Sequence, residues 1–247
     1  MKILLTNDDG IAAPGLAALA RAVGEKHKVF VVAPDTNRSA CGHSITMGRC
    51  IAHKETRLAG SVAAYSVSGT PADCVKYASL DLFRGSFKEF DLVLSGINSG
   101  PNIGTDVMYS GTVSAAFEGA YMGVKGLAVS YTQWDASMEE YMPAANFVAD
   151  NLEKLVSLIP HDGIITINYP PDPKGYKFTR IGLNIYDDYY ETHGVGKQLK
   201  GETIEHDRNH EDCDVEWIKD GYITISPATM DRTDYKTLEK LQGIKLL

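Results

Sequence analysis

The stretch Lys2-Ile3-Leu4-Leu5-Thr6-Asn7-Asp8-Asp9-Gly10 decides how the rest of the chain is interpreted. A short apolar run that ends in polar residues and glycine is typical of a buried strand leading into a loop. Two adjacent carboxylates on such a loop repel each other unless a cation joins them. The pair Asp8 and Asp9 therefore indicates a hard metal ion such as Mg²⁺ or Mn²⁺. An Asx turn that caps a helix is the alternative, because Asp and Asn favour both positions.

Strand-like and helix-like segments alternate after this first strand. A helix over 14–23 and an apolar strand over 27–33 complete a βαβ start, which predicts a parallel sheet with right-handed crossovers. The fold class predicted is α/β: a doubly wound, mostly parallel sheet in a Rossmann-like three-layer core. Irregular β structure is expected over 45–67, further strands at 90–95, 126–130, 163–168 and 221–226, and further helices at 71–82, 111–122, 138–158 and 233–241.

The character of the sequence changes in its last quarter. Residues 184–214 are polar and contain few aliphatic side chains, which is typical of an arm or extension. We therefore divide the chain into an α/β core at 1–183 and a C-terminal arm, strand and helix at 184–247. Three arm tyrosines are expected to anchor an interface, because Tyr carries both apolar area and a hydroxyl: Tyr186, Tyr189 and Tyr190.

Bulk composition excludes several classes of protein. The 247 residues are 44% hydrophobic and 23% charged, as in an ordinary globular protein. A net charge of −8 gives no general attraction to nucleic-acid polymers or acidic membranes. With no leader-like or membrane-length apolar segment, a cytoplasmic location is expected.

Four scattered cysteines predict neither a zinc site nor a disulfide framework: Cys41, Cys50, Cys74 and Cys213. His206 and His210 lie in polar sequence and are predicted to belong to a solvated loop.

Three polar loops follow three predicted strands, at 6–10, 33–39 and 95–100. The carboxyl ends of parallel strands meet at one edge of a sheet, and Asp, Asn and Ser supply the oxygen ligands that a hard cation prefers. A fourth segment, Ser110-Gly111-Thr112, opens a helix of small residues, where N–H groups and the helix dipole bind phosphate well. Simple N-capping by Ser110 or Thr112 is the alternative.

A series of motifs in fixed order makes the sequence recognisable. The principal ones are Thr6-Asn7-Asp8-Asp9-Gly10, Asn37-Arg38-Ser39, Ser95-Gly96-Ile97-Asn98-Ser99-Gly100 and Tyr109-Ser110-Gly111-Thr112-Val113. Further matches are His43-Ser44-Ile45-Thr46, Ser68-Gly69-Thr70-Pro71-Ala72-Asp73 and Asn102-Ile103-Gly104-Thr105-Asp106-Val107. Together they closely resemble the SurE family of survival-protein nucleotidases, over nearly the whole chain and most strongly up to Ser130.

The resemblance implies a metal-dependent 5′-nucleotidase. Such an enzyme hydrolyses nucleoside 5′-monophosphates, with 3′-monophosphates as further candidates, to nucleoside and inorganic phosphate by metal-activated water. One divalent ion per subunit, Mg²⁺ or Mn²⁺, is implied at residues matching Asp8, Asp9, Ser39 and Asn98, with Asp8 and Asp9 also catalytic. Phosphate contacts are implied for Asn37, Ser110, Gly111 and Thr112.

Two further residues are expected to support this site. His43 is expected to orient the loop of Ser39 or to contact ligand, with packing or capping as the alternative. Asp106 is expected to hold Ser110 or the metal loop in place. The resemblance also implies homodimers or homotetramers in which a C-terminal segment is exchanged between subunits. Ile225-Ser226-Pro227-Ala228 departs from the Ile-Thr-Pro-Leu that is usual in the family.

Two other functions use the same loops. A phosphatase with an aspartyl-phosphate intermediate usually has Asp-x-Asp after its first strand, and the adjacent pair Asp8 and Asp9 fits that pattern poorly. A nucleotide-binding sensor without turnover needs the same metal and phosphate contacts and stays open as the alternative to an enzyme.

Overall fold

The structure is a computed structural model that describes residues 1–204 and 212–244. In these residues the fold is a nine-stranded sheet covered by helices on both faces, together with a separate two-stranded hairpin. The prediction for His206 and His210 falls outside the described residues. The strands are β1 (Lys2–Thr6), β2 (Lys28–Pro34), β3 (His53–Thr56), β4 (Ala63–Val67), β5 (Leu92–Ser99), β6 (Lys125–Tyr131), β7 (Gly163–Tyr169), β8 (Tyr176–Phe178), β9 (Ile185–His193), β10 (Gly196–Ile204) and β11 (Ile223–Thr229). The α-helices are α1 (Pro14–Gly24), α2 (Pro71–Tyr77), α3 (Gly111–Tyr121), α4 (Met138–Leu158), α5 (Asp214–Lys219) and α6 (Tyr235–Gln242).

The apolar run of β1 is buried on both faces of the sheet. Ile3 and Leu5 join one hydrophobic cluster with residues of α1 and α4, whereas Leu4 joins a second cluster with residues of α2 and α3. All three side chains have no exposed surface, and burying each one contributes roughly 1.5–3 kcal/mol. A strand covered on both faces has no polar side to alternate with, which explains the continuous apolar sequence.

The order of the strands creates a crevice beside β1. The sheet runs β3-β4-β2-β1-β5-β6-β7-β11-β8, and the six strands from β4 to β7 are parallel. The chain first adds strands on one side of β1 and then returns to its other side at β5. In open α/β sheets ligands bind outside the carboxyl ends of the strands at such a reversal. The loops after β1 and β5 therefore border the natural binding crevice.

The predicted doubly wound α/β fold is confirmed. Towards its two ends the sheet departs from the parallel arrangement. At one end β3 runs antiparallel to β4, and near the other end β11 runs antiparallel to β7. The helix predicted over 71–82 is an α-helix up to Tyr77 and continues as a π-helical turn over Ala78–Leu82. The strand predicted over 90–95 extends to Ser99.

The C-terminal quarter contains elements with contrasting environments. The hairpin of β9 and β10 is exposed along almost its whole length, and α6 has no buried residue. By contrast, β11 is inserted into the sheet between β7 and β8, where Ile223 and Ile225 are buried. Within residues 1–204 and 212–244, no helix combines the length and apolarity needed to cross a membrane.

Candidate active site

The loop after β1 is closed by its own asparagine. Asn7 Nδ2 donates to the Gly10 carbonyl over 3.0 Å, and Gly10 N donates back to Asn7 Oδ1 over 3.2 Å. Gly10 has φ +102°, and a Cβ there would approach the carbonyl carbon of Thr36 to 3.1 Å. A glycine is therefore needed at this position. The closed loop fixes Asp8 and Asp9 at the start of the crevice.

Asp8 is a deeply buried carboxylate held by the start of α3. Only 3% of its surface is exposed, and Oδ1 accepts a very short hydrogen bond from Thr112 Oγ1. Burial raises the pKa of the Asp8 carboxyl, while hydrogen bonds from the Thr112 side chain and from the N–H groups of Thr112 and Gly111 partly offset that rise. The start of a helix thus faces this carboxylate directly.

Asp9 lies closer to solvent and links the loops after β2 and β5. Its Oδ2 accepts from Ser99 N over 3.0 Å, and its Oδ1 accepts from Asn37 Nδ2 over 3.2 Å. Burial and the neighbouring Asp8 charge raise the pKa of the Asp9 carboxyl to about 6. The two carboxylates therefore disfavour each other's ionised form.

The loop after β2 is tied to the same place. Arg38 N donates to the Asp8 carbonyl over 2.7 Å, and Ser39 N donates to Asn37 Oδ1 over 2.9 Å. Asn37 and Ser39 are both exposed. Because Asn37 also donates to Asp9, its amide lies beside that carboxylate, and the backbone of Ser39 is held to the same amide.

Asn98 is buried at the end of β5 with its amide oxygen facing the crevice. Its Nδ2 donates to the carbonyls of Ser99 and Gly100, over 3.3 and 2.8 Å. Those bonds orient the side chain so that Oδ1 lies 3.4 Å from Thr112 Oγ1, next to Asp8. An acceptor oxygen is thereby directed towards the carboxylates.

The start of α3 completes the crevice. Ser110 caps the helix, since its Oγ accepts from Val113 N over 3.1 Å. A Cβ at Gly111 would lie 2.9 Å from Asp8 Oδ2 and 3.0 Å from Pro71 Cγ. Only glycine allows the helix to approach the carboxylate this closely, and the approach directs the first N–H groups of α3 into the site.

The donor set and charge balance fit a hard divalent cation. Two carboxylates, one amide oxygen and one hydroxyl come from three loops, and oxygen ligands of this kind suit Mg²⁺ or Mn²⁺. In the described part of the chain no Lys, Arg or His forms an ion pair with Asp8 or Asp9. Among the described residues, no three or more His, Cys, Asp or Glu side chains are arranged so that they could hold a metal ion, so a site here also needs Ser and Asn oxygens. A cation would favour the ionised form of both carboxylates and so offset the burial that raises the pKa of each one.

The two residues expected to support the site make different contacts. His43 Nε2 lies 2.9 Å from Glu118 Oε2, so its ring faces α3. The Asp106 side chain accepts from Asn184 and Tyr186, over 3.1 and 2.6 Å, whereas its main-chain carbonyl accepts from Ser110 N. The Asp106 carboxylate therefore holds the base of the hairpin, and only its backbone contacts the start of α3.

Sequence analysis missed a buried carboxylate behind the site. The Glu118 side chain is 4% exposed, and its oxygens lie 2.9 Å from His43 and 2.7 Å from Lys76. Burial raises the pKa of Glu118, but these two partners together hold it below its ordinary value. The available signal was a lone carboxylate within the small and apolar sequence of α3.

Asp73 fixes the segment after β2 at a second point, Thr46. It accepts from the N–H and the hydroxyl of Thr46, over 2.9 and 2.6 Å, and from Thr70 N over 2.9 Å. The segment that carries Asn37 and Ser39 is thus attached to α2 and α3 by side-chain contacts. Its own residues provide little apolar burial.

Comparisons with known proteins agree with one another. The sequence model of a family described as "Survival protein SurE" matches residues 3–188. A protein named 5′-nucleotidase SurE from Pelotomaculum thermopropionicum is 41% identical over 251 residues, covering 99% of this chain and 95% of that protein. Another of the same name from Desulfitobacterium hafniense is 44% identical over 255 residues, covering 98% and 96%.

A solved structure extends the similarity to three dimensions. The crystal structure of the SurE protein from Aquifex aeolicus superposes with a TM-score of 0.83 at 34% sequence identity. The match covers 98% of each chain.

Proposed function

The chain belongs to the SurE family of survival proteins, and we propose that it is a metal-dependent 5′-nucleotidase, an enzyme that hydrolyses nucleoside monophosphates to nucleoside and inorganic phosphate. The relatives named 5′-nucleotidase SurE support the activity. The observation that carries the proposal for this chain is the pair Asp8 and Asp9, which has no basic partner among the described residues and faces the start of α3.

The proposed metal ligands are the four oxygen donors that border the crevice. One Mg²⁺ or Mn²⁺ per subunit is held by Asp8, Asp9, Ser39 and Asn98. When bound, the cation supplies positive charge for the phosphoryl oxygens and makes water a better nucleophile. The bonds from Asn98 Nδ2 to two carbonyls fix the rotamer of that ligand, and the bond from Asn37 Nδ2 fixes Asp9.

The proposed phosphate contacts are Asn37, Ser110, Gly111 and Thr112. Ser110 Oγ accepts a hydrogen bond from Val113 N, which leaves its own O–H free to donate to a phosphoryl oxygen. The N–H groups at the start of α3 and the helix dipole stabilise the negative charge that develops on phosphorus oxygens. Asn37 lies on the opposite side and can donate to the same group.

The proposed reaction is a direct displacement. Water forms a bond to phosphorus while the bond from phosphorus to the nucleoside oxygen breaks. One water proton passes to Asp9, and the other stays on the oxygen that becomes part of the phosphate. The nucleoside oxygen takes a proton from solvent and leaves as a hydroxyl, and Asp9 then returns its proton to solvent. We assign proton acceptance to Asp9 because it is the more exposed of the pair, whereas Asp8 Oδ1 already holds the Thr112 hydroxyl.

Assembly into homodimers or homotetramers through the segment 184–247 is part of the same proposal. The exposed hairpin with Tyr186, Tyr189 and Tyr190 and the unburied helix α6 support it. A groove of about 780 Å³ also supports it, with apolar walls that include Met108, Phe117, Tyr121 and Met230. Four unpaired cysteines suit a reducing compartment, so we propose a cytoplasmic location.

The test is release of inorganic phosphate from a panel of nucleoside monophosphates, with Mg²⁺, with Mn²⁺ and with chelator. We expect metal-dependent release and its loss in Asp8→Ala. Asp150→Ala, which removes an exposed carboxylate paired with Lys26, is the matched control and should keep activity. Metal-dependent nucleotide binding without phosphate release would contradict the proposal and favour a sensor.

A further inference from the structure

Trp134 is an exposed aromatic side chain at the edge of the candidate active site. It lies in the loop between β6 and α4, at the carboxyl end of a parallel strand, and 66% of its surface is exposed. Exposing a large indole costs apolar burial, so such a residue at the rim of a crevice is a candidate contact for a ligand.

One face of the indole rests on the backbone of Gly100. A Cβ at Gly100 would overlap Cζ2, Cη2 and Cζ3 of the indole at nearly equal distances. Near-equal distances to three consecutive ring atoms mean that the glycine contacts the face of the ring and not its edge. Gly100 also has φ +95°, which favours glycine there. The indole is thus supported on one side, and its opposite face is available.

The support of the indole is the same backbone that carries the site. The Gly100 carbonyl accepts from Asn98 Nδ2 over 2.8 Å, and Ser99 N donates to Asp9 Oδ2 over 3.0 Å. Asp135 N, directly after the tryptophan, donates to Ser99 Oγ over 2.9 Å. Ser99 and Gly100 therefore connect the tryptophan loop to Asp9 and Asn98.

We propose that the free face of Trp134 stacks against the nucleobase of the substrate, an inference that rests on the proposed nucleotidase function. A phosphoryl group beside Asp8 and Asp9 leaves the sugar and base to extend towards the rim of the crevice. Every base has a π-face, so stacking tolerates different bases and gains most from the larger purines. The inference adds a contact for the base to the proposed function and predicts that purine nucleotides are preferred to phosphate esters without a base.

The experiment compares adenosine 5′-monophosphate with ribose 5-phosphate, which lacks the base. Trp134→Ala should raise KM for the nucleotide roughly tenfold, the effect of removing one base-stacking aromatic, and leave KM for ribose 5-phosphate unchanged. Trp134→Phe should restore most of the nucleotide affinity. Tyr109→Ala is the matched control, because Tyr109 is equally exposed beside the start of α3.

Three outcomes would overturn the inference. Equal changes for both substrates would mean that Trp134 acts on the loop and not on the base. No change for either substrate would mean that the indole makes no contact. A base-dependent loss in Tyr109→Ala alone would transfer the role to that residue.

A second readout separates this inference from the proposed activity. The chain has two tryptophans, and Trp217 contacts Tyr222 edge-on at 5.2 Å between ring centroids, away from the site. In Trp217→Phe, fluorescence reports Trp134 alone. Within the mixing time of a stopped-flow instrument and with Mg²⁺ present, the nucleotide should quench this signal and ribose 5-phosphate should not. Quenching without phosphate release would support stacking and contradict the nucleotidase activity. Phosphate release without quenching would support the nucleotidase activity and contradict stacking.

Discussion

Replacing Asp9 by Asn should let the metal-free protein gain stability relative to wild type as pH rises, while removing its response to metal. Burial and the Asp8 charge raise the pKa of Asp9 from its ordinary value of 3.8 to about 6. Between pH 3.8 and about 6, the folded state therefore still holds the proton of Asp9, whereas the unfolded state has lost it. Stability contributed by this group is highest below pH 3.8 and falls as pH rises through about 6.

The size of this effect follows from the two pKa values. Each pKa unit corresponds to about 1.36 kcal/mol, so the full rise would cost about 3 kcal/mol at pH 7 and above. Asp9 is only partly buried, and screening by solvent reduces this to roughly 1–2 kcal/mol. In the variant, the side-chain oxygen at position 9 still accepts from Ser99 N. The NH₂ group at position 9 instead faces the donor Asn37 Nδ2, and the lost hydrogen bond costs about 1 kcal/mol at every pH.

The assay is urea unfolding of wild type and Asp9→Asn in chelator, from pH 4.5 to pH 8. The difference in free energy of unfolding between the two proteins should move by roughly 1 kcal/mol in favour of the variant as pH rises through this range. Adding Mn²⁺ at pH 8 should stabilise wild type by mass action and leave the variant unchanged. Asp150→Asn serves as the control, since its carboxylate is exposed and paired with Lys26.

Either of two results would refute this reasoning. A difference between wild type and Asp9→Asn that stays constant from pH 4.5 to pH 8 would show that Asp9 carries no burial and repulsion penalty. Equal stabilisation of both proteins by Mn²⁺ would show that Asp9 does not hold the metal.

Three further variants test the surroundings of the site and the role of α6. Thr112→Val removes a buried hydrogen bond to Asp8, so kcat should fall at least tenfold, as expected for roughly 1.5–3 kcal/mol; unchanged steady-state kinetics would contradict this. Glu118→Ala leaves Lys76 and His43 without their carboxylate partner and should lower the free energy of unfolding by roughly 1–3 kcal/mol at pH 7. Because the pKa of Glu118 is held low, that loss should disappear as pH falls below its ordinary value of 4.5, and urea titrations at several pH values check this. Leu238→Asp together with Leu241→Asp should dissociate an assembly built on α6, and sedimentation velocity that shows an unchanged oligomer would exclude that role.

The sequence was most informative where one local pattern had one physical meaning. The apolar run of β1 predicted a buried strand, and the structure buries Ile3, Leu4 and Leu5 completely. The βαβ start predicted parallel strands, and from these followed the expectation that loops after β1, β2 and β5 open on one edge. The structure brings Asp8, Asp9 and Asn98 together at that edge.

Contacts that depend on tertiary approach could not be predicted from local sequence. Glu118 lies in the sequence of an ordinary helix, and only the packing of α2 and α3 brings Lys76 and His43 to it. Trp134 looks like any loop residue until Gly100 is found beneath its ring. The direction of the Asp106 carboxylate depends on the hairpin, whose first strand begins 79 residues later at Ile185.

A crystal grown or soaked with Mn²⁺ tests the central claim, that three loops form one metal site beside the phosphate-binding start of α3. Anomalous density should appear within bonding distance of Asp8, Asp9, Ser39 and Asn98, and it should be lost in Asp8→Ala crystals treated in the same way. Mn²⁺ bound elsewhere on the chain, with this group of oxygens unoccupied at a concentration that supports phosphate release, would contradict the account.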